Sequence, residues 1–220
     1  MTSAVRQIVR IISQYQSWPR VIELGARQIP WMETWRDLRP LFPQSTYIGY
    51  DLTRGVGVDI TADPAHTPEE SKTASLVLAC EIMEHYPMPW RIAQEVERIL
   101  EPGGLFVTTI PFVHPIHHMP DYWRITPQGM ELLLGVIGNA AVYFQGDLAL
   151  PRAVYGFASA DGDEFKKFIA YFEEHIGEVP GKHVGELFYK WTGEKEYAVA
   201  RRDNPRREQE LSDQYGGYGG

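Results

Sequence analysis

Short apolar runs that stop at an acid or a glycine, separated by stretches of helical periodicity, constrain this chain more than any other feature. Residues 20–25 (RVIELG) read as a short buried strand ending in a glycine turn, and residues 45–51 (STYIGYD) repeat the theme. Residues 58–62 (VDITA) and 74–79 (ASLVLA) are two more such runs. Residues 104–110 (GLFVTTI) form the strongest, bounded by Pro102-Gly103 and Pro111. Between the last two, residues 89–100 carry apolar side chains at 92, 93, 96, 99 and 100, which is one face of a helix. Continuous apolar strands alternating with amphipathic helices call for a parallel sheet covered on both faces. The fold class is therefore α/β.

The rest of the chain fits around that unit. Val5, Ile8, Val9, Ile12 and Tyr15 fall at helical spacing, so residues 1–17 read as an amphipathic helix. It lies either against the domain or on a membrane surface. Thr126 caps a helix opened by Pro127 and running to Leu134. Residues 140–146 read as a strand, 163–176 as a helix and 196–201 as a final short strand. From Arg202 the sequence is polar and then glycine-rich, the composition of a disordered tail. The expected organisation is one domain over 1–201, with a ligand-binding core at 18–135 and a tail at 202–220.

A chain of 220 residues is long enough for a core that needs neither disulfides nor a structural metal. Its single cysteine, Cys80, has no internal partner and fits a reducing compartment, so a cytoplasmic location is expected. A formal charge of −8 argues against a nucleic-acid partner, because each phosphate contact needs a cation. No run approaches the roughly 20 apolar residues of a membrane span. Oligomeric state is not readable.

Two strand-ending acids, Glu23 and Asp51, frame the first half. In a nucleotide-binding βαβ unit the first turn lets a ligand approach the backbone, and an acid ending the second strand accepts hydrogen bonds from ribose hydroxyls. An ordinary tight turn beside a strand-terminal acid gives the same pattern. Gly25-Ala26-Arg27 lacks the G-x-G-x-x-G turn that a pyrophosphate requires, which disfavours an NAD-dependent oxidoreductase. No GxxxxGK[ST] loop occurs.

Five segments in order, VIELG, YIGYD, VDITAD, LVLACEIMEH and VERILEPGGLFVTTIP, resemble the class I S-adenosylmethionine-dependent methyltransferases over residues 18–135. The resemblance is to a type 11-like branch found in sugar and glycan pathways. It implies a Rossmann-like, mostly parallel seven-stranded sheet in the order 3-2-1-4-5-7-6, with helices on both faces. It also implies S-adenosyl-L-methionine as cofactor. Glu23, Gly25 and Ala26 would border its methionine end, and Asp51 would hold the ribose. Leu52 would pack on the adenine, with Asp63 and Ala65 near its amino group. Cys80 and Glu81 would line the methionine portion. Arg27 would meet the cofactor carboxylate or form a surface ion pair. The segment from Ile29 to Pro43 enlarges the loop between Glu23 and Asp51 beyond the roughly 20 residues of a compact unit. The pair Glu84-His85 is expected to organise the turn after the fourth strand.

The block PFVHPIHHMPDYWRIT (111–126) follows the fifth strand at the rim where an acceptor would enter. By resemblance it is an HxxPxDYWRxT-like element, one residue short. His114 or His117 would serve as base, with Asp121 or Tyr122 orienting the acceptor and Trp123 buried as an anchor. The alternative is a loop pinned by Tyr122, Trp123 and Arg124 with no chemical role. No set of acids completes a metal site with these histidines at familiar spacing, so no metal is expected. The expected activity is methyl transfer to a small polar or saccharide acceptor, at a hydroxyl. A non-catalytic binder of the same cofactor is the alternative.

Overall fold

A computed structural model describes residues 3–29, 36–176, 188–192 and 196–198. Its strands are β1 (Arg20–Leu24), β2 (Thr46–Asp51), β3 (Ile60–Thr61), β4 (Ala74–Cys80), β5 (Leu100–Pro111), β6 (Asn139–Asp147), β7 (Leu150–Ser159), β8 (Phe188–Trp191) and β9 (Glu196–Ala198). They form one sheet in the order β3-β2-β1-β4-β5-β7-β6-β8-β9. The first five are parallel, and β7 enters antiparallel between β5 and β6. The expected seven-strand order is therefore present, with two short strands added beyond β6.

Among the described residues, four helices cover the two faces: α1 (Ser3–Tyr15), α2 (Pro89–Ile99), α3 (Pro127–Leu134) and α4 (Gly162–His175). On one face, Val5, Ile8, Val9 and Ile12 of α1 are at most 1% exposed and join the core that also holds Phe168 and Phe172 of α4. Burying each such side chain contributes on the order of 1.5–3 kcal/mol relative to exposure. That settles α1 against the domain rather than on a membrane, and Tyr15 seals it edge-on against Phe168 at 5.4 Å. On the other face, Ile92, Val96 and Ile99 of α2 and Met130 and Leu134 of α3 pack with Ile22, Val77 and Phe106 of the sheet. Thr126 caps α3 as expected, its side chain accepting from Gly129 N at 3.1 Å. No described helix is long and apolar enough to cross a membrane.

Two strands escape a reading of the sequence. Strand β7 contains Pro151 and Gly156, residues that normally argue against a central strand. Pro151 sits where the β6–β7 register shifts. Gly156 is needed because a Cβ there would lie 2.7 Å from Leu134 Cδ1, so α3 presses directly on the strand backbone. Strand β8 is only four residues long and emerges from the undescribed 177–187. The expected strand at 58–62 shrinks to the pair Ile60–Thr61 at the sheet edge. The tail at 202–220, the end of the expected strand at 199–201 and part of the enlarged loop, 30–35, lie outside the described residues.

Candidate active site

The carboxyl ends of β1, β2, β3, β4 and β5 share one edge of the sheet, the edge where open α/β sheets bind ligands. At β1, Gly25 has φ +80° and its N–H, like that of Ala26, donates to Tyr50 O (2.8 and 2.9 Å). A side chain at Gly25 would strike Ile82 Cδ1 at 2.6 Å, so the first turn and the turn after β4 touch at backbone level. Glu23 is buried within the sheet, and its Oε2 accepts from the Tyr47 hydroxyl at 2.7 Å. Burial raises its carboxyl from the usual 4.5 to about 7, against the opposing pull of the Tyr47 bond and Arg39.

Asp51 closes β2 with both oxygens committed to local turns. Oδ1 accepts from Thr53 N and Thr53 Oγ1 (3.0 and 3.1 Å), and Oδ2 from Arg27 N (3.3 Å). The Arg27 guanidinium donates to Thr53 Oγ1 at 3.2 Å and its stem covers Gly55, so it braces the loop after β2. Leu52 stands 56% exposed beside them, an apolar face without cover. Asp63 Oδ1 accepts from Ala65 N and from the Tyr86 hydroxyl, both at 2.8 Å. The loop after β3 is thereby tied to the one after β4.

The turn after β4 is built under constraint. Glu81 adopts φ +54°, a left-handed conformation that costs a residue with a side chain of order 1–3 kcal/mol. Its N–H donates to Thr109 O at 2.9 Å, fastening the turn to β5, and its side chain lies 4.0 Å from Arg36. Burial first, then Glu23 and Glu81, push the Cys80 thiol far above its usual range, so it stays protonated. Cys80 behaves as a small hydrophobe. Met83–His85 then form a single 3₁₀ turn with Met83 and Glu84 buried.

The block after β5 folds back onto that turn. Tyr122 N and Trp123 N donate to Glu84 O (2.7 and 3.3 Å), and Trp123 Nε1 donates to Tyr86 O (3.1 Å). His85 Nδ1 meets Pro120 O at 2.7 Å. Inside the loop, Arg124 grips Asp121 with two bonds of 2.6 and 2.9 Å. Asp121 Oδ2 also accepts from His117 N (3.0 Å) and lies 3.2 Å from His117 Nδ1. This fork holds the Asp121 carboxyl well below the usual carboxylate range. The rings of His114 and His85 lie 4.5 and 4.9 Å from that of His117. Burial, then the neighbouring His114 and His85, lower the His117 pKa against the pull of Asp121 and favour its neutral form.

The sequence-expected residues divide accordingly. His114, His117 and Asp121 do come together, but the Asp121 side chain is 1% exposed and serves His117 and Arg124. Tyr122 is 54% exposed on the rim. Trp123 anchors the loop by hydrogen bonds and is 38% exposed, set edge-on to Trp90 at 6.2 Å, so the expected burial is corrected. The sequence reading missed the depth of Glu84 and the approach of His85 to His117. The signal was present as the adjacent Glu84-His85 pair, but its companion lies in the other block.

Comparison with known proteins follows the same division. Residues 44–108 match the family model described as a methyltransferase domain. Over these residues the chain is similar to that family. It is an enzyme of that class, and S-adenosylmethionine is its cofactor. No curated protein matches in sequence. Among solved structures, the fold is similar to an S-adenosylmethionine-dependent methyltransferase from Thermotoga maritima described as a possible histamine N-methyltransferase (TM-score 0.53, 13% identity, covering 72% of this chain and 89% of that one). It is similar also to 1,6-didemethyltoxoflavin-N1-methyltransferase of Burkholderia thailandensis (0.53, 14%, 72% and 79%), solved with 1,6-didemethyltoxoflavin and S-adenosylhomocysteine. A third is an S-adenosylmethionine-dependent methyltransferase from Archaeoglobus fulgidus (0.53, 14%, 70% and 92%). The donor set of this methyltransferase suits its cofactor. Carboxylates at the ends of β2 and β3 offer acceptors for hydroxyl and amino groups, and exposed Leu52 offers an apolar face. A ligand without phosphate needs no phosphate loop, and the sequence has none.

Proposed function

We propose that this methyltransferase modifies a small polar or saccharide acceptor at a hydroxyl group, held between the turn after β4 and the loop after β5. The observation that carries the reading is the stitching of these two segments. Glu84 O and Tyr86 O accept from the loop, and the loop's Pro120 O meets His85 Nδ1, so that His85, His114 and His117 cluster at the sheet's carboxyl edge. On the cofactor side, Asp51 would hold the ribose, Leu52 the adenine, and Asp63 and Ala65 the adenine edge. Glu23, Gly25, Ala26, Cys80 and Glu81 would border the methionine part. When bound, the cofactor supplies a methyl group already activated on a sulfonium, so the protein's task is alignment and exclusion of water.

On the acceptor side, the neutral imidazole of His117, steadied by Asp121, is suited to take a hydroxyl proton, with His114 beside it. Trp90, Tyr122 and Trp123 leave exposed aromatic surface on the same rim. Such faces next to imidazoles suit a sugar, which offers an apolar C–H face and an edge of hydroxyls. The small-molecule substrate of the Burkholderia thailandensis relative is in keeping with a small acceptor. The test is transfer of labelled methyl from S-adenosylmethionine to panels of saccharides, small hydroxy compounds, amines and proteins. Label in the saccharide or hydroxy panel is the expected result. Label confined to amines or proteins would overturn the acceptor class, and cofactor binding with no transfer to any panel would favour a non-catalytic binder.

A further inference from the structure

Glu84 is a buried carboxylate with both oxygens unpartnered. Its side chain is 0% exposed, and neither Oε1 nor Oε2 has a hydrogen-bond partner. An orphaned buried carboxyl group of this kind carries a substantial desolvation cost, and a bound ligand is one way to complete it. His85 Nε2 stands 3.7 Å from Oε1, outside hydrogen-bond range.

Both neighbouring histidines are held so as to aim the same ring nitrogen. His85 has Nδ1 on Pro120 O at 2.7 Å, and His117 has Nδ1 on Asp121 Oδ2 at 3.2 Å. A carbonyl or carboxylate fixed on Nδ1 puts the proton there and leaves a lone pair on Nε2. This is the arrangement that supports metal-ligating histidines, including the carboxylate–histidine–metal relay. Glu84, His85 and His117 each place a donor atom such that all three atoms lie within 4.8 Å of one another. Around a first-row cation with bonds of about 2.0–2.2 Å, neighbouring donors stand roughly 3.0–3.5 Å apart. Closure by about 1 Å would seat an ion.

We propose that Glu84, His85 and His117 form a binding site for a divalent first-row transition cation, with zinc and manganese as the fitting choices. Two imidazoles and one carboxylate bind such ions and leave coordination positions open. Asp121 and the Pro120 carbonyl are the positioning groups behind the histidines, and Arg124 fixes Asp121 in turn. The sequence reading expects no metal because it seeks the acid within the histidine block. The acid instead comes from the turn after β4.

The inference rests on the acceptor side of the function proposed above and deepens it. A cation here would receive oxygens of an acceptor able to chelate, such as a vicinal diol. His117 would then be a ligand, leaving His114 as the imidazole that takes the hydroxyl proton. The ring of His114 lies 4.5 Å from that of His117.

The experiment is calorimetric titration of the chelator-stripped full chain with zinc sulfate and, separately, manganese chloride. One equivalent should bind. Glu84→Gln, His85→Ala and His117→Ala should each weaken it at least 100-fold, and Asp121→Asn about 10–100-fold. His66→Ala and His175→Ala, which alter histidines outside the cluster, should leave binding unchanged and so report adventitious surface sites. A cobalt-loaded sample adds a readout independent of affinity, because its visible ligand-field bands should change in Glu84→Gln and His117→Ala. Variants are compared by circular dichroism. If Glu84→Gln does not fold, His117, whose side chain is 22% exposed, replaced by Gln, decides alone. Absence of stoichiometric binding, or binding that survives both Glu84→Gln and His117→Ala, overturns the site. S-adenosylhomocysteine titrated in parallel separates the two readings. Cofactor binding without metal binding sinks this inference alone, whereas metal binding without cofactor binding sinks the functional reading and leaves the site.

Discussion

Glu23 and Glu84 are both buried carboxylates near the carboxyl edge of the sheet, and the fold treats them differently. Glu23 receives the Tyr47 hydroxyl across the β1–β2 pair at 2.7 Å, so the scaffold itself satisfies one of its oxygens. Glu84 has a fully buried side chain and no hydrogen-bond partner. Burial lifts both carboxyls, to about 7 and about 8 respectively. The difference separates a polar group partnered by the scaffold from one that the scaffold leaves without a partner. Removing the first should disturb stability, and removing the second should disturb function.

The largest effect expected from this contrast is on turnover. His117→Ala, which removes the proposed base or, with a cation bound, one of its ligands, should lower the rate about 10²–10⁴-fold, with melting temperature and S-adenosylhomocysteine affinity nearly unchanged, as read by label transfer, thermal denaturation and calorimetry. An equal loss of cofactor affinity would place His117 on the cofactor side and break the division.

The next effect is on stability against pH. The folded protein holds the Glu23 proton more tightly than the unfolded chain does. That stabilisation is fully present below about pH 4.5 and is lost as pH rises through about 7. Glu84 adds to the same slope, up to about pH 8. Denaturant midpoints of the ligand-free protein should therefore fall between pH 5 and 8. Glu23→Gln, which keeps an acceptor for Tyr47, should flatten the fall by on the order of 1–3 kcal/mol at pH 8. A midpoint independent of pH in the wild-type chain would contradict the burial assigned to both groups.

Asp51 tests the cofactor side. Asp51→Ala should weaken S-adenosylhomocysteine binding by about 1–3 kcal/mol, measured by calorimetry, and leave the zinc titration untouched. The smallest effect belongs to Trp123. Because it is 38% exposed, Trp123→Ala should cost about 1–2 kcal/mol in a denaturant titration rather than the 3–5 kcal/mol of a fully buried tryptophan. A larger loss would mean that the loop is a foundation of the domain rather than a graft on it.

Legibility from sequence followed the range of the forces involved. The parallel half of the sheet was readable because continuous runs such as LVLA at 76–79 and LFVTTI at 105–110 are buried on both faces and have no other use. The Thr126 cap was readable because its partner is three residues away. Strand β7 was not, since the tolerance for Gly156 lies in Leu134 of α3, which local patterns do not show. The site was half legible for the same reason. Strand-end acids and the histidine block announce themselves, but the meeting of Glu84 with His117 depends on a loop folding back across 30-odd residues, held by backbone carbonyls that carry no sequence signature.

Tyr86 sits on the seam between these halves. Its hydroxyl is bound to Asp63, on the proposed adenine side, and its carbonyl receives Trp123 Nε1, on the proposed acceptor side. A ligand that draws Asp63 inward therefore pulls on the same residue that carries the acceptor loop. Linkage is reciprocal: whatever factor one ligand lends to the affinity of the other must be returned in equal measure. If both ligands bind as proposed, coupling between them would run through this one tyrosine, and Tyr86→Phe, which cuts the Asp63 bond and keeps the ring and carbonyl, is the change that would make the two ligands strangers to each other.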